Sequence, residues 1–427
     1  MFFFAYHIIS IFLLFPVVIY HFYRSVSRGR PPAFLARFGH ISATELAVIR
    51  NRPVIWLHAV SVGESIAARP LLKALRKKYP GHAIIVSNTT ETGREISSTF
   101  PEKDLCIYFP FDFLPAVCSA LNSIRPALVI IMETEIWPNF TREATRRGIP
   151  VVLANGRISD RSYHRYLKFA WFFRHALQLF SCLCMQTKTD RERIIAIGAP
   201  EERTLTAGNL KYDIPLCAAD SDEKMRLRES YNIPENLIVL TAGSTHAGEE
   251  QHVISMYKEL AAATENLFLI LVPRHPERSA EVAAILKESG LAFRCRTTLP
   301  ADEQFHQGEV LLVDTIGEMM SLYALSDIAF VGGSLVATGG HNLLEPASAG
   351  VASVFGPHMT NFREITELVL EYGAGIQVDT PGDLIITMRT LIASFELRWV
   401  LGQNGLKMMR DTGGATERHM EVIARYL

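Results

Sequence analysis

The beginning of the chain lacks charged residues. No Asp, Glu, Lys or Arg occurs in residues 2–23, FFFAYHIISIFLLFPVVIYHFY. A helix needs about 20 such residues to cross the hydrocarbon layer of a membrane, so residues 1–24 are predicted to form a membrane anchor. Basic residues follow at Arg24, Arg28, Arg30 and Arg37. Because basic flanks stay on the cytoplasmic side, the rest of the chain is expected to face the membrane from the cytoplasm.

Two other interpretations of the apolar segment compete with a spanning helix. A cleaved signal peptide would use residues 25–27 as its small-residue site, but the absence of a positive region before the apolar stretch disfavours it. A helix lying in the plane of the membrane interface fits His7, Pro16 and His21 and stays open. A spanning or an in-plane helix implies a lipid substrate or a membrane-bound partner.

The sequence also lacks cysteine motifs and a strong net charge. Its six cysteines show no Cys-x-x-Cys pair and no metal-ligand spacing, so we interpret them as reduced, mostly buried thiols. The formal net charge of −1 gives no general attraction to nucleic acid, so no nucleic-acid partner is predicted. An Asp-x-Asp sequence at residues 220–222 lies at a predicted linker, residues 214–221, and does not end a strand. We therefore predict no metal requirement.

Short apolar runs alternate with amphipathic segments from residue 53 onward. This alternation predicts parallel sheets covered by helices on both faces, whose ligands bind beyond the carboxyl ends of the strands. The 427 residues suffice for two such domains, predicted at residues 25–214 and 215–413, and residues 414–427 form a final helix that could cross back to the first domain. The runs predicted as strands include residues 54–58, 83–87, 127–132, 149–154, 237–241, 267–272 and 328–331.

Three loops of the first predicted domain carry candidate catalytic residues. Glu64 stands at a helix start, where the helix dipole keeps a carboxylate ionised and suited to act as a base; a plain first-turn residue is the alternative. Glu133 and Glu135 end a strand two residues apart and are assigned separate roles, and Glu135 is predicted to cap the next helix. Lys211 is either a mobile charge that meets a leaving phosphate or a solvated lysine after a turn.

The second predicted domain carries candidate nucleotide-binding residues. Arg274 and His275 end a buried strand, where they can clamp a phosphate and the edge of a pyrimidine ring. The sequence Gly317-Glu318-Met319 opens a helix, so its backbone N–H groups and the Glu318 side chain can read a base or a ribose. Ser244 and Thr245 are weaker candidates for phosphate or sugar contacts.

A helix start after two glycine pairs is a further candidate. Residues 332–333 and 339–340 are Gly-Gly, and Asn342-Leu343-Leu344-Glu345 follows them. The glycines allow close approach of the backbone to a ligand, the helix start favours a phosphate, and Glu345 is placed to take a ribose hydroxyl. An ordinary turn with a capping Asn342 is the alternative.

An aromatic and basic segment at residues 163–180, YHRYLKFAWFFRHALQLF, has two interpretations. Three basic residues, Arg165, Lys168 and Arg174, interleave with aromatic rings, a mixture that suits phosphorylated lipid at a membrane surface. A buried amphipathic helix explains the aromatic residues equally well.

Five motifs occur in this chain and together resemble a known family. They are HAVSVGE at 58–64, METEIWPN at 132–139, GNLKYD at 208–213, PRHPER at 273–278 and the glycine-rich stretch 313–350. The combination resembles the 3-deoxy-D-manno-octulosonic acid (Kdo) transferases of lipopolysaccharide synthesis. The resemblance implies an α/β fold of the glycosyltransferase B architecture, with two doubly wound Rossmann-like domains facing a cleft and an N-terminal membrane anchor helix.

The resemblance also implies roles for the candidate residues. Glu64 matches the catalytic base of the family, and Glu133 and Lys211 match residues that assist the transition state. The family binds its cytidine nucleotide at positions that match Arg274, His275, Gly317, Glu318, Met319, Asn342, Leu343, Leu344 and Glu345.

The implied reaction uses these roles. Glu64 would remove a proton from a sugar hydroxyl of a lipid A precursor, lipid IVA, and the oxygen would attack CMP-Kdo at the anomeric carbon with inversion. CMP-Kdo, the lipid A precursor and lipid of the inner membrane are the expected partners, without cofactor, metal or protein partner. The catalytic domains would lie on the cytoplasmic side of that membrane. The alternatives are another enzyme of the same architecture, such as a UDP-sugar transferase or epimerase, and a non-catalytic membrane scaffold.

Overall fold

Two separate parallel sheets organise the chain. The computed structural model describes residues 2–27, 33–300 and 303–427. The contacts among these residues divide the chain into a first unit, Met1–Asp213 with Thr412–Leu427, and a second unit, Ile214–Asp411. The final helix therefore belongs to the first unit, although it follows the second unit in sequence.

The first unit is built on a seven-stranded parallel sheet. Its strands are β1 (Val54–His58), β2 (Ala83–Asn88), β3 (Leu105–Tyr108), β4 (Leu128–Met132), β5 (Val151–Gly156), β6 (Cys182–Met185) and β7 (Thr204–Thr206). Its helices before the second unit are α1 (Phe2–Ser27), α2 (Phe34–Arg37), α3 (Ala43–Ile49), α4 (Val62–Lys78), α5 (Glu91–Ser98), α6 (Leu114–Ile124), α7 (Pro138–Arg146), α8 (Asp160–Lys168), α9 (Ala170–Leu177) and α10 (Lys188–Ile197).

The strand order of the first sheet is β3-β2-β1-β4-β5-β6-β7. All residues of β1 and β4 are buried, and successive side chains enter two different cores: Ile55 and Leu57 pack on one face and Trp56 on the other. Burial on both faces is what a parallel sheet covered by helices requires. The order reverses between β1 and β4, which places the expected ligand crevice at the carboxyl ends of these two strands.

The second unit repeats this construction with strand order β10-β11-β9-β8-β12-β13-β14. Its strands are β8 (Ile238–Thr245), β9 (Leu267–Pro273), β10 (Phe293–Cys295), β11 (Val310–Leu312), β12 (Ile328–Val331), β13 (Ala352–Phe355) and β14 (Gly375–Gln377). Its helices are α11 (Ser221–Ser230), α12 (Glu249–Ala263), α13 (Ser279–Glu288), α14 (Met319–Leu325), α15 (Leu344–Ser348), α16 (Arg363–Glu371), α17 (Pro381–Ala393) and α18 (Phe395–Thr412), and α19 (Ala415–Ile423) returns to the first unit. Here the order reverses between β8 and β12.

Helix α1 packs against the first unit by one face of its first turns. The Tyr6 hydroxyl donates to Asp112 Oδ2 at 2.8 Å, and the Phe2 ring lies 4.4 Å from the His175 ring of α9. The opposite face is open, with Phe4 and Phe12 exposed by 70% and 75%. Within the described residues, the stretch Phe2–Tyr20 is the one helix long and apolar enough to cross a membrane.

Arg37, one of the basic residues of the expected membrane flank, lies elsewhere. Arg37 is buried, its guanidinium lies 3.2 Å from the Glu91 carboxylate, and it stacks 4.3 Å above the Tyr108 ring. Arg37 is therefore part of the protein interior and does not support the predicted orientation. Arg28 and Arg30 lie outside the described residues, and the side chain of Arg24 is not described either.

Residues 163–180 form two helices, α8 and α9, with a break at Phe169. Tyr166 and Phe173 pack against the core of the first unit, whereas Trp171 and Phe169 are exposed by 65% and 50%. Part of the segment is therefore packed on the core, and contact of the exposed aromatic residues with a membrane surface stays a prediction. The Asp-x-Asp sequence opens α11: the Asp220 carboxylate accepts the Glu223 N–H at 2.8 Å as an N-cap.

Candidate active site

The carboxylate of Glu64 lies at the start of α4, directly after β1. Glu64 is 8% exposed; the Val60 N–H donates to its Oε2 at 2.8 Å and the Ser61 hydroxyl to its Oε1 at 2.9 Å. Burial raises the pKa of Glu64 above its ordinary value, and the nearby charge of Glu133 adds to this, while the bonds from Val60 and Ser61 oppose it. Each carboxylate oxygen accepts one of these bonds and keeps a lone pair for a substrate proton.

Glu133 and Lys211 stand beside Glu64. Glu133 follows β4, the neighbour of β1 at the point where the strand order reverses, and has φ of 54°, which is uncommon for a residue other than glycine. The Lys211 Nζ lies 3.6 Å from Glu133 Oε1. The structure thus brings together all three predicted catalytic residues, which come from three loops of the first unit.

Glu135 does not cap α7, so that prediction is wrong. The N-cap of α7 is Trp137, which makes no side-chain capping bond, and the first free N–H groups of the helix donate to Asp112. Glu135 is instead mostly buried beside the other two carboxylates. Burial raises its pKa to about 7, and the charges of Glu64 and Glu133 contribute. The cap of α7 is a tertiary contact, because Asp112 lies more than 20 residues before this helix.

A buried hydrogen-bond network supports the loop of Lys211. Asn155, at the end of β5, accepts the Leu210 N–H on its Oδ1 at 2.9 Å, and its own N–H donates to His419 Nε2 at 3.0 Å. The His419 Nδ1–H donates to the Ala415 carbonyl at 2.7 Å, and burial lowers the pKa of His419 to about 4, so the ring is neutral. No local pattern indicated this network, because its members are far apart in sequence.

A cavity of about 480 Å³ opens at the carboxyl ends of β8 and β9 in the second unit. This is the edge at which the strand order reverses, as expected for a ligand site of a doubly wound sheet. Seven of the nine predicted nucleotide-binding residues line the cavity: Arg274, His275, Gly317, Glu318, Met319, Asn342 and Glu345. Ser244 also lines it, together with His341 and Phe362, which the sequence analysis did not single out.

Leu343 and Leu344 do not line the cavity. Both side chains are fully buried in the interior of the second unit, so any ligand contact at these positions has to come from the backbone. Asn342 Oδ1 accepts the Leu344 N–H at 3.2 Å, although the N-cap residue of α15 is Leu343, whose side chain makes no capping bond.

Glu318 lines the cavity, but its carboxylate oxygens already accept hydrogen bonds from other side chains. Its Oε2 accepts the Tyr231 hydroxyl at 2.7 Å and Arg296 Nε at 2.9 Å, and its Oε1 accepts the Thr315 hydroxyl. Burial opposes ionisation, yet these bonds lower the pKa of Glu318 overall. The carboxylate thus holds the turn in place, and the backbone at Gly317, with φ of 96°, stays open to the cavity.

Arg274 and Glu345 are two of the charged residues that line the cavity. The Arg274 side chain is exposed, and among the described residues no carboxylate lies within ion-pair distance of it. Burial raises the pKa of Glu345, while Asn342 and the charge of Arg274 act in the opposite direction. Arg274 is therefore available to an anionic ligand.

The backbone at the first glycine pair, Gly332-Gly333, binds a buried carboxylate that the sequence did not indicate. Glu249 at the start of α12 is fully buried and accepts the N–H groups of Gly333, Ser334 and Leu335 at 2.6, 3.0 and 2.9 Å. Its carboxylate therefore occupies the backbone N–H groups after the first glycine pair, where the backbone was expected to approach a ligand. A side chain at Gly332 would also meet the Ser244 carbonyl at 2.6 Å.

Two histidines lie against each other at the edge of the cavity. His246 Nε2 and His341 Nε2 are 2.9 Å apart, so one ring nitrogen donates and the other accepts. Burial lowers the pKa of His341 to about 4, and the nearby His246, Arg274 and His275 contribute. Both rings are therefore neutral at physiological pH, and Arg274 supplies the positive charge of this edge.

The sequence is similar to one family of known proteins, both in a family model and in individual relatives. Residues 33–214 match the family model of 3-deoxy-D-manno-octulosonic-acid transferase (kdotransferase). The 3-deoxy-D-manno-octulosonic acid transferase of Haemophilus influenzae is 37% identical over 379 residues, 87% of each chain. The enzyme of the same name from Bordetella pertussis is 31% identical over 92% of this chain and 91% of its own.

A solved structure supports the fold class. The UDP-GlcNAc 2-epimerase of Neisseria meningitidis is 14% identical, with a TM-score of 0.52 over 87% of this chain and 100% of the epimerase. At this identity the likeness shows the fold alone. Together with the two seven-stranded sheets, it confirms the predicted fold class, two doubly wound α/β domains of the glycosyltransferase B type.

Proposed function

Because the chain belongs to the Kdo transferase family, we propose that it transfers Kdo from CMP-Kdo to a sugar hydroxyl of a lipid A precursor, lipid IVA, with inversion at the anomeric carbon. The observation that carries the proposal is the group of Glu64, Glu133 and Lys211 at the point where the strand order of the first sheet reverses. A carboxylate with a raised pKa, whose oxygens each keep a free lone pair, is suited to accept a proton from a hydroxyl.

Each residue of this group has a proposed task. Glu64 removes the proton from the acceptor hydroxyl while the oxygen bonds to the anomeric carbon and the bond to the phosphate oxygen breaks. CMP leaves with the electron pair of that bond. Lys211 supplies positive charge as negative charge develops, and Glu133 holds the Lys211 ammonium in place.

The cavity of the second unit is the proposed CMP site. Arg274 binds the phosphate, Glu345 accepts a ribose hydroxyl, and the backbone of the turn at Gly317 contacts the base. The proposal relies on the exposure of Arg274 and on the position of Glu345 in the cavity wall. A thermal-shift comparison tests nucleotide choice: CMP should raise the melting temperature more than UDP does, and the reverse order would favour a UDP-sugar enzyme.

We expect the transfer rate to depend on the ionisation of Glu64. Because the base must be deprotonated, kcat/KM should fall as the pH drops through the raised pKa of Glu64 and level off above it. Glu133→Gln removes a negative charge that raises this pKa, so the acidic limb should move to lower pH even though the maximal rate also falls. A pH–rate profile in which the limb keeps its position would contradict this assignment.

We expect transfer without a divalent cation. The leaving group is a phosphate monoester, which carries less charge than a diphosphate, so Lys211 and Arg274 can supply the positive charge. Initial rates should be equal with EDTA and with added Mg²⁺. A strict requirement for Mg²⁺ would contradict the metal-free mechanism and direct attention back to Asp220 and Asp222.

Membrane attachment through α1 is also part of the proposal. The packing of Phe2 and Tyr6 against the first unit supports an in-plane helix more than a spanning one, because a span would have to carry these residues away from the body. The exposed apolar face of α1 would then enter one leaflet of the inner membrane, from the cytoplasmic side, where the lipid acceptor resides. We expect the protein to sediment with vesicles and to be released by detergent.

A further inference from the structure

Asp112, in the loop between β3 and α6, makes a set of contacts that the proposed reaction does not use. Its Oδ1 accepts the Phe140 N–H at 2.7 Å, its Oδ2 accepts the Asn139 N–H at 3.1 Å, and its carbonyl accepts Asn139 Nδ2 at 2.8 Å. Asp112 therefore caps the start of α7 from a different part of the chain.

This cap determines where the loop of Glu133 and Glu135 ends. Only five residues separate β4, which ends at Met132, from α7, which begins at Pro138. Pro138 has no N–H, and Trp137 makes no side-chain capping bond, so the two bonds to Asp112 are the cap of this helix. If α7 moved, the short loop that carries the Glu133 and Glu135 carboxylates would move with it.

The third donor to the Asp112 carboxylate comes from α1. The Tyr6 hydroxyl donates to Asp112 Oδ2 at 2.8 Å, and Asn139 Nδ2 lies 3.4 Å from the Ser10 hydroxyl one turn further along α1. Helix α1 thus carries two polar side chains, Tyr6 and Ser10, on the face that packs against the first unit. They contact the Asp112 carboxylate and the Asn139 amide, the two groups at the start of α7. Without Tyr6, a partly buried carboxylate would lose one of its three donors.

We propose that Tyr6 and Asp112 couple the seating of α1 to the position of residues 133–137, so that both are positioning residues for the transfer reaction. The partner that favours the seated state is a lipid surface, because the opposite face of α1 presents Phe4, Phe12 and Phe15 to its surroundings. The inference depends on the proposed function, since it assigns residues 133–137 to the active site.

The test compares full-length Tyr6→Phe, Asp112→Asn and the double variant in the transfer assay, with Tyr23→Phe as the matched control. Tyr23 lies on the same helix and is 73% exposed, so its hydroxyl should be dispensable. We expect Tyr6→Phe to lower kcat about three- to tenfold and Asp112→Asn to lower it about ten- to a hundredfold, with the KM for CMP-Kdo unchanged. The double variant should match Asp112→Asn, because Tyr6 acts through Asp112.

Two results would overturn the coupling. One is a Tyr6→Phe variant with the kcat of the wild type and of Tyr23→Phe; the other is a double variant whose loss is the product of the two single losses. If Asp112→Asn fails to fold, Tyr6→Phe decides alone, because it removes one hydroxyl. An inactive wild-type protein would instead count against the proposed function, so the two failures are distinguishable.

Discussion

Glu64→Gln is expected to abolish transfer while CMP still binds. The amide keeps the size of the side chain; its oxygen can accept the Val60 N–H and its NH2 group can donate to the Ser61 hydroxyl, but it cannot take up a proton. Loss of a general base typically costs roughly a hundred- to ten-thousandfold in rate. The measurement is the initial rate of Kdo transfer, followed by mass spectrometry of the lipid, together with CMP affinity by calorimetry.

The control for this variant is Glu192→Gln, the same change at an exposed position of α10 in the first unit. It should transfer Kdo at the wild-type rate. CMP affinity should be the same in both variants and the wild type, because the proposed nucleotide cavity belongs to the second unit. Normal turnover by Glu64→Gln would remove Glu64 from the mechanism, and a simultaneous loss of CMP binding would point to a folding defect.

Arg274→Ala is expected to weaken CMP binding strongly. Hydrogen bonds to a charged group contribute about 2 kcal/mol, which corresponds to a roughly 30-fold increase in the dissociation constant. Arg274→Lys should recover part of the affinity, since it keeps the charge and loses the paired geometry of the guanidinium. Calorimetric titration of the purified variants with CMP gives the comparison.

The matched control is Arg389→Ala, in the same unit. Arg389 is exposed and forms a surface ion pair with Glu259 at 2.6 Å, which should contribute little to stability and nothing to the cavity. We expect its CMP affinity to equal that of the wild type. If Arg274→Ala binds CMP as tightly as this control does, the cavity of the second unit is not the phosphate site.

The sequence predicted the central strands well because their burial is uniform. The predicted run 328–331 coincides with β12, and the run 267–272 differs from β9 by one residue at its end. Such strands carry apolar residues on both faces because helices cover both sides of the sheet. They are therefore recognisable in the sequence as uninterrupted apolar runs. The short strands β7, β10 and β14 gave no such signal, since they are three residues long and partly exposed.

The site was predictable where a residue ends a strand or opens a helix. Glu64, Glu133 and Arg274 occupy such positions, and the structure places them at the edges where the strand orders reverse. The resemblance supplied the roles of these residues, which position alone left open. Lys211 could be placed near Glu133 only through the fold, since 77 residues of chain, including three strands, separate them.

The residues that sequence reasoning missed are those whose partners are distant in the chain. Glu249 caps a glycine loop more than 80 residues later, and His419 reaches Asn155 from the last helix. Glu135 was assigned wrongly because α7 is capped by Asp112, which lies more than 20 residues earlier in the chain. In each case the deciding contact is tertiary, so local spacing carries no information about it.

Transfer by the purified protein tests the central claim most directly. CMP-Kdo and a tetraacylated disaccharide acceptor are incubated with the protein, and the lipid is analysed by mass spectrometry, with UDP-sugars as the parallel donor. The account predicts a lipid heavier by at least one Kdo residue with CMP-Kdo and no change with the UDP-sugars. An unmodified lipid with CMP-Kdo, or sugar transfer from a UDP donor alone, would contradict it.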